Sequence, residues 1–316
     1  MKRLVIGSLG VLVLMLAGAP VGAVNVPDCG EFVIFAKTNI TFEQGNTLLA
    51  GNIFLQNPAG YVKIGAHNII HGTVTANKIV VANEAQVDDC VASVIELQGT
   101  GKCGTTTIGF TPAAACTAKF PPAPLAVPAF PAVCSPGTVV NVPPGSAATL
   151  APGCYDKVRV GQGARLSLTA GGTYFVRGEF RQLGGDKPGD GSTVIGGGGR
   201  PDAPATVNIA GSYITEAGVF MTNLLVNGTN TGGQAFQIYN NSLLADVVIS
   251  SLGTVHPHTG VQLRGRTELV AAMFDDLEPI TNDLGAASLQ PCVCRAGSHF
   301  LLDVPADSSE RACVPD

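Results

Sequence analysis

The chain of 316 residues has no tryptophan, few aromatic residues of any kind (6%) and few charged residues (13%). Scarce aromatic side chains leave few platforms on which a sugar ring could stack. The formal net charge is −5 and no basic cluster occurs beyond the first residues, which argues against nucleic acid as a partner. The chain carries instead 40 glycines and 21 prolines, a composition typical of many turns and little exposed helix.

Long hydrophobic runs are absent after residue 23, where no stretch approaches the ~20 apolar residues of a membrane-spanning helix. Residues 1–23 have the pattern of an export signal, with Lys2 and Arg3, an apolar run over 4–17 and small residues at 21–23. An uncleaved anchor is the alternative. We therefore expect a soluble mature chain that is exported to the periplasm, the cell surface or the medium, without a membrane span.

All nine cysteines lie after the predicted cleavage point, and none stands directly at it, which argues against a lipoprotein. In an exported chain, cysteines are expected to form disulfides. An odd number leaves at least one thiol free or paired with another chain. The spacing matches neither zinc fingers nor haem attachment. The disulfide candidates are Cys29, Cys90, Cys103, Cys116, Cys134, Cys154, Cys292, Cys294 and Cys313.

Short apolar pairs recur every eight residues within 150–180, and each pair has the two-residue spacing of one strand face. Glycines between the pairs allow tight turns. This pattern predicts an all-β chain folded as a parallel β-helix, or β-solenoid; an antiparallel meander is the alternative. The pairs, which we expect to share one core, are Val158 and Val160, Leu166 and Leu168, and Tyr174 and Val176.

The N-terminal part, over 24–98, shows a six-residue step that fits three short strands per coil. Asn68 and Gln86 occupy apolar positions of this step, and asparagine can form ladders between coils. The other positions of the step are Val62, Val74 and Val80 in one series and Ile64, Ile70, Ala76 and Ala82 in a second.

Three further segments complete the predicted organisation. Residues 99–135 are rich in proline, which excludes ladder strands. This segment is either a free linker or is pinned along the solenoid by its cysteines. Residues 136–285 resume strand patterns and form the main solenoid. Residues 286–316 carry three cysteines and no solenoid period, and we expect a small cap over an open end.

The distinctive pattern of the chain is LAPGCY at 150–155, followed by VRVGQGARLSL at 158–168 and GGTYFV at 171–176. It resembles bacterial exported β-solenoid domains with an LxPGxY pattern, which occur in adhesin-like and pilus-associated proteins. TVNIAG, QIYNNS and MFDDLEP, at 206–211, 237–242 and 273–279, resemble later strands of the same family. The resemblance implies a surface role without catalytic residues, and it implies that Asp275 lies in a closing turn.

GTVTANKIVV, at 72–81, more loosely resembles the coils of polymer-forming bactofilin-type proteins. The two resemblances together cover roughly residues 50–285. This chain departs from the first family in its extra cysteines and in lacking a recognisable surface-sorting tail.

The enzyme alternative is a parallel β-helix polysaccharide lyase or hydrolase acting on acidic sugars, which requires clustered carboxylates. The site candidates are Asp275, Asp276 and Glu278, with Arg264 to hold an acidic sugar. Asp88, Asp89 and Asp283 are further candidates. Since neighbouring strand residues point to opposite faces, each adjacent pair supplies one carboxylate per face.

His256 and His258 are two apart and would share a strand face, where they could bind a metal. Pro257 favours a turn instead, and a third ligand is not apparent. His67 and His71, four apart, would lie ~13 Å apart on a strand. Thr73 and Thr75, with the threonines at 105–107, suggest ice or polymer-surface binding only weakly, because they do not repeat regularly.

The sequence therefore predicts a non-catalytic exported β-solenoid with a structural or adhesive role at a bacterial surface, pilus or extracellular matrix. A surface polymer, a pilus or another protein would be the partner, and self-association is compatible with this interpretation. No cofactor is predicted.

Overall fold

The computed structural model describes residues 32–45, 47–109, 138–185, 190–197, 203–232, 235–265, 267–278, 280–282, 298–300 and 313–315. The strands before residue 110 are β1 (Phe32–Ala36), β2 (Ile40–Phe42), β3 (Leu48–Ala50), β4 (Asn52–Leu55), β5 (Tyr61–Ile64), β6 (Ile69–Thr75), β7 (Lys78–Val81), β8 (Gln86–Ala92), β9 (Val94–Leu97) and β10 (Lys102–Ile108).

The following strands are β11 (Val139–Val142), β12 (Ala147–Leu150), β13 (Gly153–Tyr155), β14 (Lys157–Val160), β15 (Arg165–Leu168), β16 (Thr173–Val176), β17 (Glu179–Gln182), β18 (Thr193–Ile195), β19 (Ala205–Ile209) and β20 (Ser212–Thr215). The last are β21 (Phe220–Gly228), β22 (Phe236–Ile238), β23 (Leu243–Pro257), β24 (Val261–Arg264), β25 (Glu268–Leu277), β26 (Ile280–Asn282), β27 (Ser298–Phe300) and β28 (Cys313–Pro315).

These strands form a parallel β-solenoid of about ten turns, which confirms the predicted fold class. The described residues contain no helix, and hence none long and apolar enough to cross a membrane. Each turn contributes to three sheet faces. Face 1 contains β3, β12, β15, β18, β24 and β26, with the first parts of β6, β8, β10, β21 and β23.

Face 2 contains β1, β4, β13, β16 and β19, with the later parts of β6, β8, β10 and β21, the middle of β23 and the start of β25. Face 3 contains β2, β5, β7, β9, β11, β14, β17, β20 and β22, with the ends of β23 and β25.

One turn of the stack comprises β14, β15 and β16, which lie on faces 3, 1 and 2 in sequence. Val160 is 0% exposed, and Leu168 and Val176 are 1% exposed, so all three side chains enter one core as predicted. Each strand pairs in parallel with a strand of the next turn, never through a hairpin. Gly163 and Gly171 have φ values of 65° and 63° at the corners, a conformation that favours glycine.

The six-residue step predicted for the N-terminal part, with three steps per coil, matches buried positions from Val62 to Val80 but drifts out of register with the observed turns. Val62 pairs with Ile79, and Ile79 pairs with Ile95, so successive turns advance by 17 and then 16 residues. Gln86 is exposed and its neighbour Val87 is buried instead. The corners between strands become shorter along the chain. Inward positions therefore do not stay at a constant spacing of six residues.

Asn68 keeps its predicted inward position and is 0% exposed. Its Nδ2 donates hydrogen bonds to the carbonyl oxygens of Glu43 at 2.6 Å and Gly65 at 3.0 Å. Its Oδ1 accepts one from the amide of Thr47 at 3.0 Å. The side chain is thus satisfied by the backbone at a corner and does not form a ladder of asparagines.

The order of turns along the stack differs from their order in the chain. β1 lies between β4 and β25, and β26 pairs with β3, so the first and last solenoid strands meet in the middle. From there, residues 32–108 build the stack towards one end. Residues 139–282 run back to the middle from the opposite end. Ile108 and Val139 therefore lie at opposite ends, about 50 Å apart at ~4.8 Å per turn.

The inward side of face 3 carries a stack of aromatic rings on three successive turns. The ring centroids of Phe180 and Tyr213 are 5.2 Å apart, and those of Tyr213 and Phe236 are 5.6 Å apart. The Tyr213 hydroxyl donates to Gln182 Oε1 at 2.6 Å, and burial raises the pKa of Tyr213 above its usual range. This column fills the core beneath face 3, where all three rings are buried.

A disulfide joins Cys90 to Cys103 and ties the last two turns at the β10 end of the stack. Cys154 is disulfide-bonded as well. Strand pairing continues to Ile108, beyond residue 98, where the sequence placed the end of the N-terminal coils. Residues 110–137, with most of the Pro-rich segment, lie outside the described residues. Of the predicted cap, the structure describes β27 and β28, which pair antiparallel.

Candidate functional site

Three successive strands of face 3 place a group of polar side chains on the outer surface. β22 pairs with the end of β23, with Gln237 opposite His256. Phe236 and Val255, which flank these positions, are both 0% exposed, so Gln237 and His256 point outward. β25 follows on the next turn and ends just before Glu278.

The turn predicted at Pro257 is not formed, because β23 runs through Pro257, which pairs with Ile238. Strand pairing continues past the proline, because the amide of the next residue, His258, donates to the Ile238 carbonyl at 2.8 Å. His256 and His258 consequently emerge on the same face, and their ring centroids are 4.4 Å apart.

His258 lies at the centre of the group. Its Nδ1 contacts Glu278 Oε1 at 3.0 Å and its Nε2 contacts Gln237 Oε1 at 3.1 Å. The Tyr239 ring stacks on the imidazole with centroids 4.3 Å apart and planes 13° apart. His258 and Glu278 are 17% and 28% exposed, so the group is partly shielded from water.

Glu278 is held from a second side by Thr259. The Thr259 amide and hydroxyl donate to Glu278 Oε2 at 2.8 and 2.5 Å. Burial, the largest single influence, raises the pKa of Glu278, but the hydrogen bonds from Thr259 and His258 together outweigh it and lower the pKa below its usual range. The carboxylate is therefore kept ionised and fixed in orientation.

His256, His258 and Glu278 each bring one potential ligand atom to within 4.8 Å of the other two. The sequence pointed to the histidine pair but not to Glu278 as its neighbour. Glu278 follows His258 by 20 residues, close to the offset of 20 and then 19 residues between paired positions of β23 and β25. The sequence did not reveal the number of residues in the turn between these strands, and that number determines which residue of β25 or its end lies next to His258.

Asp275 and Asp276 lie within β25, so the closing turn expected at Asp275 is not formed. Ile40 pairs with Phe274 and Phe42 pairs with Leu277. Two residues of β25 thus stand opposite Thr41 alone, in a β-bulge. The bulge explains how both Phe274 and Leu277, three residues apart, are buried.

Arg264, proposed to hold an acidic sugar, is exposed at the end of β24 and donates to Gln262 Oε1 at 3.3 Å. Glu278 instead contacts Thr259, which precedes β24. Arg264 stands at the opposite end of β24 from Thr259, five residues further along the chain. Arg264 and Glu278 are therefore not brought into one site.

The remaining candidates lie elsewhere. His67 pairs with Glu84 at 2.9 Å and His71 with Asp88 at 3.3 Å, each across adjacent turns. Asp89 stands between Thr73 and Thr105 in the register, which interrupts any threonine ladder there. Asp283 lies outside the described residues.

Comparison with known proteins identifies no relative. The chain matches no protein-family model, no curated protein and no solved structure.

Proposed function

We propose that the protein is an exported, non-catalytic β-solenoid with a structural or adhesive role at a bacterial surface, pilus or extracellular matrix. The observation that carries this proposal is the periodic outer surface of face 1, where each turn places one residue in register with the next. Outward positions there follow one another at ~4.8 Å over the length of the stack. A surface with a constant repeat suits a partner that is itself repetitive, such as a polymer.

The register defines a single column along this face, which we call the face 1 column. Apolar and polar residues alternate irregularly along its middle, and its two ends carry a basic residue near or at the terminus. In stack order the column is Ala147, Arg165, Thr193, Phe220, Leu243, Gln262, Thr281, Leu48, Ile69, Gln86 and Lys102.

Leu48 is 45% exposed in the middle of the column. An exposed leucine between the half-buried Leu243 and Ile69 presents apolar area to a partner. Flanking Gln262 and Gln86 provide amide hydrogen-bonding groups. This mixture suits an uncharged polymer or a protein surface better than a polyanion.

The lyase or hydrolase alternative is less well supported. Glu278 is engaged by Thr259 and His258, and Arg264 stands at the opposite end of β24 from Thr259. A glycosidase needs two carboxyl groups converging at about 5–10 Å with a substrate between them. Incubation with uronic-acid polymers tests this directly: cleavage by the wild type that Asp276→Asn with Glu278→Gln abolishes would replace the adhesive proposal.

Fractionation of the native host tests export. We expect the protein outside the cytoplasm, in the periplasm, at the surface or in the medium, with an N-terminus at Val24 by mass spectrometry. A full-length chain confined to the cytosol would contradict the proposal.

Co-sedimentation with the insoluble envelope fraction of the host tests adhesion. Leu48→Glu with Ile69→Glu should weaken binding at least tenfold, because both changes place charge in the face 1 column. The matched control, Tyr61→Glu with Val94→Glu, changes two exposed residues of face 3 and should bind like the wild type. Equal loss in both variants would show that face 1 is not the contact surface.

A further inference from the structure

We propose that His256, His258 and Glu278 form a binding site for a divalent transition-metal ion of the zinc class. This site is independent of the adhesive proposal, because it lies on face 3 and the proposed contact column lies on face 1. Two imidazoles and one carboxylate are the ligand set of many zinc sites that keep a fourth position open. Imidazole nitrogen also disfavours Ca²⁺ and Mg²⁺, which prefer oxygen ligands.

The geometry lies close to what the ion requires. The three potential ligand atoms are within 4.8 Å of one another. Tetrahedral zinc with bonds of about 2.0–2.2 Å places its ligand atoms roughly 3.4 Å apart. Side-chain rotations that move each ligand atom by about 1 Å therefore complete the site.

Rigid elements hold the ligands. His256 lies in β23, and the hydrogen bond from the His258 amide to Ile238 keeps His258 in line with that strand. Glu278 follows β25 directly, and β25 pairs with β23 on the neighbouring turn. Sites built on paired strands hold their geometry better than sites on loops.

The surrounding residues orient the ligands as neighbours of metal ligands do. In the metal-bound form, Gln237 Oε1 accepts from His258 Nε2, which leaves the lone pair of the neutral ring on Nδ1, the atom that faces Glu278. Thr259 fixes the carboxylate through two hydrogen bonds. Tyr239 holds the plane of the imidazole by stacking. Such partners fix tautomer and orientation in metal sites.

In the metal-free protein, His258 Nδ1 and Glu278 Oε1 share a hydrogen at 3.0 Å. The ion takes the place of that hydrogen and adds a bond to His256. The His258–Glu278 contact is thus the resting form of the site, and no new residue has to enter it.

Isothermal titration of the mature protein, stripped with EDTA and with free thiols alkylated, tests the proposal. Alkylation matters because the odd number of cysteines leaves a thiol that can bind zinc on its own. We expect one Zn²⁺ per chain, and Co²⁺ should give the visible absorption of a tetrahedral site. Ca²⁺ should not compete.

His256→Ala and His258→Ala should each weaken Zn²⁺ binding about 100-fold, and Gln237→Leu about 10-fold to 100-fold through loss of orientation. Glu278→Gln keeps the size of the side chain and should also weaken binding. His71→Ala is the control, since His71 pairs with Asp88 on another part of the stack. Circular dichroism confirms folding of each variant. The site would be disproved by absent Zn²⁺ binding in the wild type, or by an equal loss in His71→Ala.

Discussion

Asn68 has a buried amide whose hydrogen-bonding groups are all matched to backbone partners. Its Nδ2 donors face two carbonyl oxygens, and its Oδ1 faces one amide. The arrangement is specific for an amide, because a carboxylate would put oxygen against the carbonyls of Glu43 and Gly65. The sequence marked this position as inward, but only the corner geometry explains why asparagine occupies it.

Replacing Asn68 by Asp should therefore destabilise the protein strongly, by at least the ~1–3 kcal/mol of a buried group left unsatisfied. The expected outcome is a lower midpoint in urea unfolding. Asn141→Asp makes the same chemical change at an exposed position of β11 and should be nearly neutral. Similar losses in the two variants would contradict the role assigned to Asn68.

Glu278 should give the protein an acid-sensitive contribution to stability. Its pKa is lowered in the folded state, so the unfolded chain takes up the proton first as pH falls. The contribution is complete above the unfolded pKa of about 4.5 and is lost as pH falls through the folded value. Unfolding measured from pH 7 to pH 3 should show a shallower acid decline for Glu278→Gln than for the wild type. Parallel curves would rule this out.

At the scale of single strands, the local residue pattern was sufficient to predict strands and core positions in the C-terminal half of the solenoid. In the N-terminal half it was misleading about the residue step. In β14 and β15, charged or small outward residues alternate with buried ones, and in β16 Thr173 and Phe175 alternate with buried residues, so strand and core positions follow directly from the sequence. In the N-terminal half, the corners between strands change length. A step counted in residues therefore drifts, even though most of the inward residues are still apolar.

The LAPGCY segment has a structural explanation in its tyrosine. The Tyr155 hydroxyl donates to the Ala151 carbonyl at 2.5 Å, which closes the turn before β14. Tyr174, on the next turn, donates to the Leu150 carbonyl at 3.0 Å and accepts from the Thr169 amide at 2.7 Å. Two tyrosines thus satisfy the backbone of successive corners.

The disulfide between Cys90 and Cys103 should stabilise the end of the stack locally. It closes a loop with a sequence separation of 13, for which chain entropy predicts about 3 kcal/mol. In Cys90→Ala with Cys103→Ala, amide exchange in β9 and β10 should accelerate, whereas exchange in β14 should not change. Uniform acceleration throughout the chain would show that the bridge acts on the whole molecule.

At the scale of the molecule, the meeting of β1 with β25 could not be predicted from the sequence. Local periodicity reports which residues face inward, but not which turn lies above another when the chain is interrupted. The Pro-rich segment separates the two halves, and either order of stacking satisfies the same alternation. For the same reason, the contact between Glu278 and His258 could not be predicted, because strand register between turns is a long-range property.

Hydrogen exchange should reveal the stacking order. Turns at the ends of a solenoid have a neighbour on one side only, so protection should be lowest in β10 and β11 and highest around β1 and β25. If exchange instead began by fraying at the chain termini, strands near the termini, such as β1 and β25, would be the least protected. The expected order of protection is the reverse. Fastest exchange at β1 and β25 would mean that the two halves separate as units, contrary to this expectation.

The junction of β1 with β25 also governs the order of folding. Thr38 bonds to Ala272, 234 residues away in sequence, so this contact forms only after nearly the whole solenoid segment is available. Until then, β1 presents an open strand edge, and such edges pair readily with other chains. The β25 strand of a second molecule has the same register and fits the same edge. We therefore expect slow closure at high concentration to favour a domain-swapped dimer, in which each solenoid is completed by the half of its neighbour.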